Sequence, residues 1–84
     1  MSIGKEVFLL QARLAGLKKT RGEKVLRADS YISIIRDIID PYGGDFAGFD
    51  MEKFMVIAKD FYSLWEETKT LDEQIARMER DLNG

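Results

Sequence analysis

The chain has no cysteine and no histidine among its 84 residues. Without cysteine, no disulfide can staple a small fold and no thiolate can bind zinc or attack a substrate. Without histidine, the Ser-His and Cys-His nucleophile pairs, the commonest zinc sites, the Glu-x-x-His di-iron motif and the usual proton shuttle near neutrality all fall away. Catalysis would have to rest on carboxylates, lysine, tyrosine or an isolated serine. A large excess of either charge is also lacking: the formal net charge is −2 with 45% apolar residues, which places the chain in the globular class, away from disorder and from nucleic-acid-binding extremes. Apolar runs such as Val7-Phe8-Leu9-Leu10 are far too short to cross a bilayer. The first residues show no secretory h-region, and Gly4 stands where a myristoylation signal would need glycine at position 2. The expectation is a cytoplasmic protein with no membrane span and a single domain over 1–84.

What the chain does have is a heptad pattern. From Phe54 an apolar residue recurs at steps of three and four through Ile57, Phe61, Leu64, Thr68, Leu71, Ile75, Met78 and Leu82, with only Thr68 polar. That spacing keeps one narrow seam facing a partner helix along its whole length. Earlier in the chain, Ile3, Val7, Leu10, Leu14 and Leu17 give one seam, and Val25, Ala28, Ile32, Ile35 and Ile39 give another. Two consecutive steps of four through Arg21 join them, a stutter that locally unwinds a coiled coil. The one proline, Pro41, lies in Asp40-Pro41-Tyr42-Gly43-Gly44-Asp45, a helix-ending residue followed by two permissive glycines. Asp50 is a good N-cap, and Asn83-Gly84 supply a natural helix end.

These signals predict an all-α fold: a first helix over about 3–40, an apex loop over about 41–49 and a second helix over about 50–82, packed as a long antiparallel hairpin. The alternative is a three-helix bundle with a break near Gly22, suggested by the cations and glycine of Lys18-Lys19-Thr20-Arg21-Gly22 and by Gly16. Against it, helix-forming residues resume at once after Gly22. A second helix of ~50 Å, at ~1.5 Å per residue, is also matched only by an unbroken first one.

A hairpin uses one stripe per helix, and more apolar residues remain. Met55, Ala58, Tyr62 and Trp65 form a second stripe beside the seam of the second helix, while Phe8, Leu26, Ile34 and Ile38 lie off the seam of the first. Left wet, these would make a larger apolar patch than monomers tolerate. Burying each is worth ~1.5–3 kcal/mol. The expectation is therefore a homodimer forming a four-helix bundle, with Met55, Ala58, Tyr62, Trp65, Leu26, Ile34 and Ile38 at its interface.

Two other groups are candidates for binding. Lys18, Lys19, Arg21, Lys24 and Arg27 would suit an anion, a nucleic acid or an anionic membrane surface. The hairpin alignment instead sets them opposite Glu66, Glu67, Asp72 and Glu73, where flanking charges commonly set register. At the apex, Tyr42, Phe46 and Phe49 could be a knob gripped by a protein partner, or a lid folded over the bundle end. Asp40, Asp45 and Asp50 lack EF-hand spacing and read as a helix end, a turn and a cap. Glu66, Glu67, Asp72 and Glu73 read as a solvated face, and Ser30 and Ser33 have no base to activate them. No catalytic or metal-ligating set emerges, and no motif asks for a cofactor. The residues favour a non-enzymatic, self-associating hairpin that scaffolds or regulates a protein partner. The runner-up is a nucleic-acid or membrane-surface adaptor through residues 18–27. A ligand pocket near Tyr31, Tyr62 and Trp65 is the least favoured.

Overall fold

The structure, a computed structural model, is described for residues 2–41 and 43–83. Helix α1 spans Ser2–Ile39, a short 3-10 turn spans Phe46–Gly48, and helix α2 spans Met51–Asn83. The helices run antiparallel as a rod-like hairpin whose Cα atoms extend 68 × 16 × 15 Å. Tyr42 and Gly84, singled out above, lie outside the described residues.

In α2 the expected seam is the observed one. Leu64, Leu71 and Ile75 are its buried residues, and Phe54, Ile57, Phe61, Thr68, Met78 and Leu82 are half-buried. The Thr68 hydroxyl donates to the Leu64 carbonyl at 2.8 Å, so this polar seam residue is satisfied by its own helix. Asp50 caps the helix: its Oδ1 accepts from the Lys53 backbone N–H at 3.2 Å.

In α1 the seam differs from the expected one. There is no stutter. Apart from Ile34, which flanks the row, the half-buried residues Leu10, Leu14, Leu17, Arg21, Lys24, Ala28, Tyr31, Ile35 and Ile38 alternate steps of four and three without interruption. Val25, Ile32 and Ile39 are exposed instead. The reason lies in α2, whose uninterrupted heptads need an uninterrupted partner; a stutter in one helix alone would rotate its seam away from the other. Lys24 can occupy a seam position because its aliphatic stem lies along the groove while its ammonium reaches Glu67 at the rim, 2.9 Å away. Tyr31 packs edge-on to Phe61, with ring centroids 6.4 Å apart. Together with Arg21 beside Asp72, these contacts set Leu17 level with Ile75 and Leu14 level with Met78.

Helix α1 continues through Gly16 and Gly22, so the three-helix alternative is not adopted. Both glycines lie on the outer side, where an added Cβ would meet nothing within 4 Å. Their helical state is imposed by the seam residues around them. Glycine with a true conformational role occurs at Gly44, whose φ of +93° turns the apex loop. Because the two exposed glycines only weaken the helix, Gly16→Ala and Gly22→Ala should each stabilise the hairpin by ~0.8–1 kcal/mol. At a fixed protein concentration, thermal unfolding followed by circular dichroism should rise by several degrees for each. An unchanged or lowered midpoint for both would mean that helix α1 is interrupted there.

Candidate functional site

In a two-helix seam, residues seven apart share one side, so an ion pair across the seam identifies everything in register with it. Lys18 Nζ and Glu79 Oε1 are 3.3 Å apart. Stepping by sevens from Lys18 reaches Val25, Ile32 and Ile39; stepping back from Glu79 reaches Asp72, Trp65, Ala58 and Met51. These two rows therefore flank the same edge of the seam. Toward the chain ends this edge is ionic, and toward the apex it is apolar. Met55 and Tyr62, half a heptad from the α2 row, widen the apolar stretch. The opposite edge, marked by Arg27 close to Glu67, carries Arg13, Thr20, Asp60 and Gln74 and is polar except at Ile34.

Met55, Tyr62 and Trp65 are 58%, 57% and 54% exposed, so their own chain does not shelter them. Tyr62 and Trp65 stack with centroids 5.8 Å apart, and the Lys69 ammonium sits over the Trp65 ring, 5.9 Å from its centroid. Ala58 is half-buried between them and Met51 along the row. Of the first-helix residues expected at the interface, none falls on this edge: Leu26 lies on the outer back of α1, Ile34 on the polar edge and Ile38 within the seam. The α1 residues on this edge are Val25, Ile32 and Ile39. The signal that would have found them was present, since these three are seven apart, but it was read as a seam.

Three of the five clustered cations face carboxylates. Lys18 pairs with Glu79, Lys24 with Glu67, and Arg21 with Asp72, where Nε donates to Oδ1 and Nη2 lies 3.5 Å from Oδ2. Arg27 adds to the field at Glu67, while Lys19 makes no ion pair among the described residues. At the apex, Phe46 is exposed, whereas Phe49 folds back against Phe54 with centroids 5.9 Å apart. One aromatic is thus outward and the other acts as a lid. An open groove of about 380 Å³ beside them carries Asp37, Asp45, Asp50 and Lys53. Among the described residues no three carboxylates converge as a metal site. Tyr31 is not brought together with Tyr62 and Trp65: its small groove of about 170 Å³ is lined instead by Arg27, Asp60 and Glu67. No described helix is long and apolar enough to cross a membrane.

No protein-family model matches the chain, and neither a curated protein nor a solved structure matches it significantly.

The Arg21 guanidinium, through its hydrogen bonds and then its charge, holds the Asp72 carboxyl below its ordinary range; Lys24 does the same to Glu67, with a smaller contribution from Arg27. A carboxyl whose folded pKa is depressed stabilises the fold above its unfolded pKa and loses that contribution as pH falls through the folded value. Stability should therefore be flat near neutrality and decline below about pH 4.5, where the unfolded carboxyls begin to bind protons. Asp72→Asn should lower the neutral-pH melting midpoint by a few degrees and flatten part of the acid decline. Parallel acid profiles for the variant and the parent chain would show that the pair contributes nothing to folding.

Proposed function

We propose that this chain is a non-enzymatic, self-associating helical hairpin that serves as a protein-protein interaction module, scaffolding or regulating a larger partner. The observation that carries the reading is the one-sided apolar edge, Val25, Ile32 and Ile39 beside Met51, Met55, Ala58, Tyr62 and Trp65, against a polar opposite edge. Surface area supports it. The hairpin exposes 6,693 Å², about a third more than the ~5,100 Å² expected of a compact monomer of its mass. A two-helix rod has no second layer with which to lower that figure. A homodimer, reaching four helices in cross-section, supplies one. Phe46 at the tip remains available for a further protein partner. Anion binding through Lys18, Lys19, Arg21, Lys24 and Arg27 has less support, because most of that charge is already met by carboxylates of α2.

Sedimentation velocity across about 1 to 100 µM should show a concentration-dependent shift from monomer to dimer. Changing Tyr62 and Trp65 together to Ser should weaken association at least tenfold while leaving the helical circular dichroism intact, since neither residue lies in the seam. The polar-edge variant Asp60→Ala should associate as the parent does. A chain that stays monomeric up to about 1 mM would refute the proposal.

A further inference from the structure

We draw no further inference here: the strongest candidate, the apolar patch that Phe8, Leu9 and Leu26 leave exposed on the outer face of helix α1, has nothing in the structure to show what covers it.

Discussion

Two helices that touch along one heptad seam can shelter one stripe of each and no more. That constraint governs the whole molecule. The seam of α2 runs unbroken from Phe54 to Leu82, so α1 must present an equally regular row, and it does so even at Arg21 and Lys24. Only Leu64, Leu71 and Ile75 are buried among the described residues, and none of them completely. The core is thus a line of side chains, and the apolar residues beside it are left in solvent because, among the described residues, no third long helix covers them. The exposed apolar surface follows directly from the sparse interior.

The charged residues complete the seam as much as they decorate it. Exposed ion pairs contribute ~0–1 kcal/mol each, too little to hold two helices together. Their effect is on alignment. Lys18, Arg21 and Lys24 meet Glu79, Asp72 and Glu67 at one antiparallel register. A slip by one heptad would keep fewer of these pairs: in one direction it sets Arg21 beside Trp65, and in the other it sets Lys24 beside Gln74. Placing cations at seam positions therefore trades some burial for uniqueness, as buried polar residues do in coiled coils. The same pairing concentrates ionic character at one end of the hairpin edge and leaves the other end apolar, so register and surface polarity share one cause.

The all-helical hairpin, its apex at Pro41 and the complete α2 seam were legible because heptad spacing, a lone proline and an aspartate cap each act locally. Phase was harder in α1. Val25, Ile32 and Ile39 have the right residue types for a seam, while Arg21 and Lys24 have the wrong ones, so reading by hydrophobicity introduced a stutter. Only pairing with α2, where Glu67 and Asp72 wait at the rim, makes the cations the better occupants. That information is relational and lies some fifty residues away along the chain. The second stripe of α2 is exposed at Met55, Tyr62 and Trp65, while on α1 the register sets Leu26 on the outer back, Ile34 on the polar edge and Ile38 in the seam. At the apex, residue type could not separate knob from lid; backbone geometry does, turning Phe49 inward onto Phe54 and leaving Phe46 outside.

One seam is closed within the chain, and the central proposal is that the adjoining apolar edge is closed by another molecule. Methyl relaxation by a soluble paramagnetic probe tests it most directly, comparing Val25, Ile32 and Ile39 with Leu14, Leu17 and Ile35. In dilute solution the first set should relax strongly and the second weakly, and on concentration the first set alone should become protected. Equal protection of both sets at every concentration would show that the chain encloses its own apolar residues, contradicting the account.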